Sequence, residues 1–252
     1  MIELENISLA LTGRTILDDV SLFIEKGTTS VILGPSGAGK STILKVILGL
    51  LKPDKGSVII EGRNIVDENG NDALDVRRKI GMVFQANALF DSLTVEQNAA
   101  YFLKESRNKT PREINTIVEE VLSFVNLSGT NKLYPDQLSG GMKKRLAIAR
   151  ALAVDPKIIL FDEPTTGLDP INTKAVLNLI KSLKSRGTTS VIVTHILNDA
   201  IAIGDVLTVI NDGKVTASGN LKDILNTKDQ FIKDFFYEVF EDASFFVNNK
   251  KE

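Results

Sequence analysis

The chain has 252 residues, of which 43% are apolar, and its formal net charge at pH 7 is −2. This composition supports a packed core and excludes a disordered chain, and the near balance of charges disfavours a nucleic-acid-binding protein. The absence of cysteine and the presence of a single histidine exclude disulfides, thiolate catalysis, cysteine–zinc sites and multi-histidine metal sites.

The start of the sequence, MIELENISLA, lacks the basic segment and the apolar run of a signal peptide. No apolar run approaches the roughly 20 residues of a membrane span. We therefore expect a soluble protein that stays in the cytoplasm unless a partner holds it at a membrane.

In the first third of the chain, short apolar runs surround a glycine-rich loop. Lys40–Leu50 has the apolar spacing of a helix, and Pro53 ends it. Runs of apolar and β-branched residues bounded by turn residues predict strands. The predicted strands are Ile2–Leu9, Val20–Ile24, Thr29–Leu33, Ser57–Ile60 and Ile80–Phe84.

The pattern then becomes helical, and later strands and helices alternate again. The predicted helices are Val95–Leu103, Pro111–Val125, Gly141–Ala153, Pro170–Arg186 and Leu197–Ile203. The predicted strands after the helical block are Ile158–Phe161, Ser190–Thr194, Val206–Ile210 and Lys214–Ala217. This order predicts an α/β fold with a mainly parallel sheet covered by helices on both faces, and a helical sub-domain inserted at about 87–153.

The stretch GPSGAGKS at residues 34–41 has the pattern G-x-x-x-x-G-K-[ST], between a predicted strand and a predicted helix. Its glycines let backbone N–H groups curl around phosphate oxygens, and the start of the helix adds the positive end of its dipole. Lys40 is expected to reach the β- and γ-phosphates, and the Ser41 hydroxyl is expected to bind Mg²⁺. The loop residues expected to hold the nucleotide are Gly34, Pro35, Ser36, Gly37, Ala38, Gly39, Lys40, Ser41 and Thr42.

Two other strands end in chemically active side chains. Asp162 and Glu163 follow the apolar run from Ile158, and His195 follows the run that ends at Thr194. Ligands of open parallel sheets lie beyond the carboxyl ends of the strands, so we expect these residues near the phosphate loop. Asp162 would approach Mg²⁺, Glu163 would accept a proton from an attacking water, and His195 would contact the γ-phosphate or the water.

The ordered set of motifs resembles the ATPase subunit of an ABC transporter, from the first strand to about residue 225. The motifs are residues 34–42, Gln85, LSGGM at 138–142, LFDEP at 160–164, GLD at 167–169 and His195. The resemblance implies a P-loop NTPase of ABC-ATPase type with an antiparallel β part. It also implies an ATPase domain at 1–225 and a helical extension at 226–252.

The same resemblance implies a head-to-tail homodimer that holds two ATP molecules with Mg²⁺ at its interface. Ser139, Gly140 and Gly141 of one subunit would close over the γ-phosphate bound by the other, and a helix start with serine and glycine suits an anion. Gln85 would contact Mg²⁺ and water and respond to the membrane partner. Asp169 would couple the two ATP sites.

Two positions depart from the family pattern. Met142 stands where the family usually has glutamine, so any nucleotide contact from this position is weakened or changed. The first strand region, SLALTGRT, lacks the aromatic residue that commonly stacks on adenine, and Leu9 or Leu11 lies near that place. Adenine would then be held by apolar contact.

LSGGM, the stretch FQANALFDSLTVEQNAAY and the long tail resemble one branch, the Mce/Mla-type phospholipid transport ATPases. That branch implies integral membrane permease subunits, an Mce-domain substrate-binding protein, and a position on the cytoplasmic face of the inner membrane. Importers of polar amino acids or similar solutes share much of the stretch and remain an alternative. Leu89, Phe90 and Leu93 either receive a permease helix or fill the sub-domain core.

The tail carries six of the twelve phenylalanines of the chain. Phe231, Phe235, Val239 and Phe246 recur near helical spacing, with Phe236 and Phe240 beside them, which predicts an amphipathic helix. The helix either packs on its own domain or clasps the neighbouring subunit.

Functions outside transport find less support. An ABC ATPase acting on nucleic acid or ribosomes commonly has a long coiled-coil insertion or two cassettes, which this chain lacks. A small-molecule kinase or GTPase would have no use for LSGG. The sequence therefore predicts a transport ATPase without a nucleic-acid partner.

Overall fold

A computed structural model describes residues 1–66, 76–106 and 109–237. The strands are β1 Ile2–Leu11, β2 Arg14–Ile24, β3 Thr29–Leu33, β4 Lys55–Ile60, β5 Arg63–Asn64, β6 Ile80–Val83, β7 Ile158–Asp162, β8 Thr189–Thr194, β9 Val206–Asn211 and β10 Lys214–Gly219. The helices are α1 Lys40–Ile47, α2 Val95–Ser106, α3 Pro111–Phe124, α4 Gly140–Leu152, α5 Pro170–Ser185, α6 Leu197–Ile203, α7 Leu221–Leu225 and α8 Gln230–Phe235, with a 3-10 turn at Pro135–Gln137.

The strand prediction was too short at the β1–β2 hairpin. Strand β2 begins at Arg14, not at Val20, and Leu11 pairs with Arg14 across a two-residue turn. The turn residues Thr12 and Gly13 both have positive φ, 50° and 79°. Two-residue turns with positive φ at both positions match the twist of a hairpin. Only one face of this part of the strand is buried, so many of its residues are polar. The sequence therefore lacks the apolar run from which a strand is predicted.

The strands form two sheets. One has the order β2-β1-β4-β5 and is antiparallel. The other has the order β10-β9-β3-β8-β7-β6. Its pairs are parallel except for β9 with β10. The predicted mainly parallel sheet with an antiparallel part is confirmed.

The parallel pairing brings the carboxyl ends of four strands to one edge. Leu33 at the end of β3 is paired with Thr194 at the end of β8. Val193 is paired with Asp162 of β7, and Phe161 with Val83 of β6. The residues that directly follow these strands are therefore neighbours in space, as expected for a ligand site of an open α/β sheet.

Central strands are apolar because both of their faces are covered. In β3, Val31 and Leu33 belong to the core that includes α2–α5, whereas Ile32 belongs to the core between the two sheets and α1. The larger core thus supports β6, β7 and the helix that follows the LSGGM motif. The smaller core supports the phosphate loop from below.

Helix α8 packs on its own chain. Ile232 and Phe236 are fully buried in the larger core, and Phe231 and Phe235 lie partly buried against it. Val239, Phe240 and Phe246 of the predicted tail helix lie outside the described residues. None of the described helices is long and apolar enough to cross a membrane.

Candidate active site

Three glycines shape the loop between β3 and α1, two because a side chain would collide with backbone and one because of its φ angle. A Cβ on Gly34 would lie 2.1 Å from the carbonyl oxygen of Ile210, and a Cβ on Gly39 would lie 2.9 Å from that of Ile16. Gly37 has open space around it but a φ of +83°, which disfavours other residues. The fold of this single chain therefore requires glycine at these positions. The resulting curl exposes backbone N–H groups at the start of α1.

Lys40 and Ser41 begin helix α1 and point into the site. Lys40 is 7% exposed, and its Nζ donates to the carbonyl oxygens of Gly34 at 2.8 Å and Pro35 at 2.9 Å. Burial lowers the pKa of Lys40, and the nearby carboxylates of Glu163 and Asp162 oppose that shift. Lys40 thus lies inside the curl of the loop, where a phosphate oxygen can replace the carbonyls as acceptor.

Asp162 is the last residue of β7 and Glu163 directly follows it, and both side chains are held by hydrogen bonds. The Ser41 hydroxyl donates to Asp162 Oδ1 at 2.8 Å. Glu163 is 8% exposed and has φ 49°, a strained backbone conformation for this residue type, as is common at active sites. Thr166 and Thr194 donate to its Oε2 at 2.9 and 3.3 Å.

His195 lies on the other oxygen of the same carboxylate, with its Nδ1 2.9 Å from Glu163 Oε1. An ionised carboxylate only accepts, so Nδ1 carries a proton in this arrangement. A neutral imidazole has then used its one N–H. To donate that N–H to a phosphate oxygen instead, His195 has to turn away from Glu163.

The LSGGM segment forms a second helix start, at the N-terminus of α4. Ser139 is the N-cap, and its Oγ accepts from the backbone N–H of Met142 at 3.3 Å. Gly140 is exposed, and a Cβ there would meet only Leu168 Cδ2 at 3.9 Å. Gly141 is buried, and a Cβ there would lie 2.0 Å from Asn172 Oδ1. Gly141 is thus needed for helix packing, whereas Gly140 is not.

Asp169 caps the neighbouring helix α5. Its Oδ1 accepts from the N–H groups of Ile171 and Asn172, and its Oδ2 accepts from Asn172 Nδ2 at 2.6 Å. Hydrogen bonds from Asn172 lower the pKa of Asp169. Within the described part of the chain, Ser139 and Asp169 make hydrogen bonds only inside the first turns of their own helices. Neither side chain thus has a hydrogen bond to the phosphate loop of its own chain among the described residues.

Gln85 follows β6, beside the end of β7, and its side chain is exposed. Its carbonyl oxygen accepts from Lys144 Nζ at 2.8 Å. Lys144 is 2% exposed, and burial lowers its pKa to about 8 despite the opposing carboxylates of Asp162 and Glu163. Arg150 of the same helix donates to the carbonyl oxygens of Ala88 and Asn87.

Four residues of the site were missed by the sequence reasoning. Thr166 and Thr194 each lie next to a recognised motif. Their role becomes visible only in the structure, where both hydroxyls donate to the Glu163 carboxylate. Lys144 and Arg150 carried a clearer signal. Lys144 falls on the apolar face of α4, between Gly141 and Ile148 at helical spacing, and a lysine on a buried face requires a polar partner.

The structure places the residues at the two positions that depart from the family pattern, the adenine-contact region and Met142. Leu9 is buried in the core and is 3% exposed, whereas Leu11 at the end of β1 is 36% exposed. Leu11 is therefore the residue of this pair that is able to touch a base. The Met142 side chain is partly buried against the larger core of its own chain.

The oxygen donors suit Mg²⁺. Ser41 and Asp162 present a hydroxyl and a carboxylate that contact each other, and Gln85 lies at the same sheet edge. Among the described residues, no group of three or more His, Asp or Glu side chains converges on one point. Magnesium is usually held by one or two carboxylates together with substrate phosphates, so this donor set fits.

Comparisons with known proteins agree with this geometry. The model of the family described as "ABC transporter" matches residues 17–166. The intermembrane phospholipid transport system ATP-binding protein MlaF of Haemophilus influenzae is 39% identical over 92% of this chain and 90% of its own length. A probable ribonucleotide transport ATP-binding protein of Mycobacterium bovis, mkl, is 38% identical over 93% of this chain and 66% of its own length.

A solved structure has the same fold. The dimeric post-hydrolysis state of the ATP-binding cassette MJ0796, bound to ADP and Pi, superposes with a TM-score of 0.80 at 36% identity. The match covers 88% of this chain and 99% of that one. The phosphate loop, the carboxylate pair and the histidine at one sheet edge, together with these matches, show that the chain belongs to the ABC transporter family as its ATP-hydrolysing subunit.

Proposed function

We propose that two copies of this chain bind two ATP molecules between them, head to tail, and that their closure drives phospholipid transport through a separate integral membrane permease. The observation that carries the proposal is the hydrogen-bonded set Ser41–Asp162 and Glu163–His195, formed by the start of α1 and the ends of β7 and β8. In this proposal residues 1–225 form the ATPase domain, with a helical sub-domain at about 87–153, and residues 226–252 form an extension.

The chemistry is in-line attack of water on the γ-phosphate. Lys40 exchanges its loop carbonyls for β- and γ-phosphate oxygens and stabilises the charge that develops there. Glu163 takes the proton from the attacking water, and His195 orients the water and the γ-phosphate. Ser41, Asp162 and Gln85 would hold Mg²⁺, which supplies positive charge to the phosphates when bound.

A second chain completes each site. Ser139, Gly140 and Asp169 are exposed and are not used by the phosphate loop of their own chain. An exposed helix N-terminus with serine and glycine is suited to an anion, here the γ-phosphate bound by the partner. The dimeric state of the solved cassette supports this arrangement.

Phospholipid as cargo rests on the relatives. MlaF, named for intermembrane phospholipid transport, matches along nearly its whole length, and the mycobacterial relative named for ribonucleotide transport is matched over a smaller share. An Mce-domain protein as a further partner, and a position on the cytoplasmic face of the inner membrane, belong to the same proposal. Nucleic acid is not a partner in it.

The surface for the permease lies beside Gln85. Phe90 is 37% exposed and stacks on Tyr101 at 4.4 Å, whereas Leu89 is partly buried against the core. Leu93 is also half-buried. Phe90 is therefore the first contact of the permease in this proposal, and Leu89 supports the core.

The test is to purify tagged Glu163→Gln protein from membranes in the presence of ATP and to identify bound proteins and lipids by mass spectrometry. Removing the base is expected to slow hydrolysis by about 100-fold or more while ATP binding remains, so the closed complex persists. Tagged Lys40→Ala protein, which is expected to bind ATP weakly, is the matched control.

We expect recovery of a permease, an Mce-domain protein and phospholipid that depends on ATP. A permease with a solute-binding protein and no lipid would retain the transport ATPase and refute the phospholipid. Nucleic acid or ribosomes without a membrane protein would refute transport. Near-normal hydrolysis by Glu163→Gln would remove Glu163 from the role of base.

A further inference from the structure

The segment after β6 has an unfavourable backbone conformation. Asn87 and Ala88, two and three residues beyond Gln85, have φ of 64° and 49°. Asparagine tolerates the left-handed region because its side chain can bond locally, but alanine has no such group. The side-chain oxygen of Asn87 is itself buried without a hydrogen-bond partner. Other contacts must therefore hold this segment in place.

Two buried cations of α4 supply those contacts. Lys144 Nζ donates to the carbonyl oxygens of Gln85 at 2.8 Å and Phe84 at 3.4 Å. The two guanidinium NH₂ groups of Arg150 donate to Ala88 at 2.6 Å and Asn87 at 3.0 Å. Four carbonyl oxygens of one short segment thus accept hydrogen bonds from a single helix.

The burial of these cations is costly. Lys144 is 2% exposed and Arg150 is 4% exposed. Within the described residues neither has a carboxylate at ion-pair distance, so their charges face backbone carbonyls and, for Arg150, the rings of Phe90 and Phe102. An apolar side chain would pack in these places at lower cost, so packing alone does not explain two cations.

Helix α4 starts at the LSGGM motif, so one rigid element joins that motif to the segment that carries Gln85. We infer that Lys144 and Arg150 are positioning residues that hold the strained segment 85–88 on α4, so that Gln85 and the LSGGM motif move as one body. Gln85 then reaches its place at the metal site only together with the helix that closes on the partner's ATP. This inference rests on the proposed role of Gln85.

The experiment is a double-mutant cycle on steady-state ATP hydrolysis by the full chain in its membrane complex. Lys144→Met keeps an unbranched side chain that is one atom shorter and removes its charge, and it is expected to lower kcat about 10-fold with KM for ATP within about 2-fold. In a Gln85→Ala background the same change is expected to lower kcat less than about 2-fold, since contacts that act through one residue are not additive. Lys143→Met, on the partly exposed neighbour, is the matched control and leaves kcat unchanged.

Two further variants separate positioning from folding. Ala88→Gly removes the strain of the segment and is expected to restore about 3-fold of the kcat lost in Lys144→Met, because glycine adopts positive φ without steric cost. Arg150→Lys keeps the charge but lacks the planar guanidinium, whose two separate NH₂ groups bond Ala88 and Asn87, and it is expected to lower kcat about 3-fold unless Gln85 is already absent.

The inference is overturned if Lys144→Met and Arg150→Lys reduce kcat by the same factors with and without Gln85, or if Ala88→Gly gives no rescue. Loss of activity in Glu163→Gln, measured in parallel, shows in that case that the proposed hydrolysis stands and only the positioning role fails. If Gln85→Ala leaves kcat unchanged, the proposed role of Gln85 falls and the inference falls with it.

Discussion

The two helix starts that are suited to phosphate differ in how far one chain completes them. At the start of α1, Lys40 contacts its own loop and Ser41 contacts Asp162. At the start of α4, the hydrogen bonds of Ser139 to the described part of the chain stay within its own helix, and Gly140 lies exposed. One chain therefore assembles the first site by itself and presents the second outward.

The glycines of the two sites also differ in whether contacts within one chain explain them. Side chains at Gly34 or Gly39 would collide with backbone of the same chain, whereas one at Gly140 would make an ordinary contact with Leu168. The fold thus explains the first two glycines and gives no reason for Gly140. We propose that Gly140 is needed for close approach to the ATP bound by a second chain.

The largest effect is expected for Gly140→Asp. A carboxylate at this exposed position leaves the fold and ATP binding by the single chain intact but repels the γ-phosphate of the partner. Repulsion of several kcal/mol predicts at least about 100-fold slower hydrolysis. ATP affinity of the isolated chain, its thermal midpoint and its ATPase rate are the measurements.

Mixing provides the control for that prediction. Gly140→Asp chains mixed with Lys40→Ala chains form dimers with one intact site, and about a quarter of the wild-type activity is expected because half of the dimers are mixed. Absence of any recovery, together with normal dimer formation, would contradict a site shared between chains.

Lys40→Ala is expected to act on the first site alone. The ammonium makes charge-assisted hydrogen bonds worth about 1.5–3 kcal/mol, so ATP affinity should fall about 10- to 100-fold. Equilibrium binding of a fluorescent ATP analogue measures it. Lys45→Ala, in the last turn of the same helix, is the matched control, and an equal loss there would show that the effect is not local.

His195→Ala is expected to lower kcat about 5-fold and to leave ATP affinity nearly unchanged. The expected loss is limited because Thr166 and Thr194 still hold Glu163 Oε2 after the imidazole is gone, and one hydrogen bond contributes about 1 kcal/mol. Single-turnover hydrolysis separates this step from ATP binding. A loss as large as that of Glu163→Gln would instead assign His195 a direct part in proton transfer.

Strand periodicity and strand order made much of this site predictable. Parallel strands that end in Asp162 and Thr194 must bring the following residues together, and the loop at 34–41 is a local pattern. The contacts from Lys144 to Gln85 and from Asn172 to Gly141 were not predictable. Each contact joins two separate elements, and the sequence of neither element determines the angle at which they pack. The Thr12–Gly13 turn was missed because the strand that follows it has one solvent-exposed face and therefore lacks a long apolar run at its start.

The smallest effect is expected at Met142, which replaces the glutamine usual in the family. Its side chain is partly buried against the core of its own chain, so the contact it makes is mainly structural. Met142→Gln is expected to change the ATPase rate less than about 3-fold and to lower the free energy of unfolding by about 1 kcal/mol through lost apolar packing. Urea unfolding and steady-state hydrolysis measure the two quantities. A large gain in ATP-driven dimerisation without a change in stability would show instead that residue 142 faces the partner's nucleotide. The outward surface at the start of α4 would then extend two residues beyond Gly140.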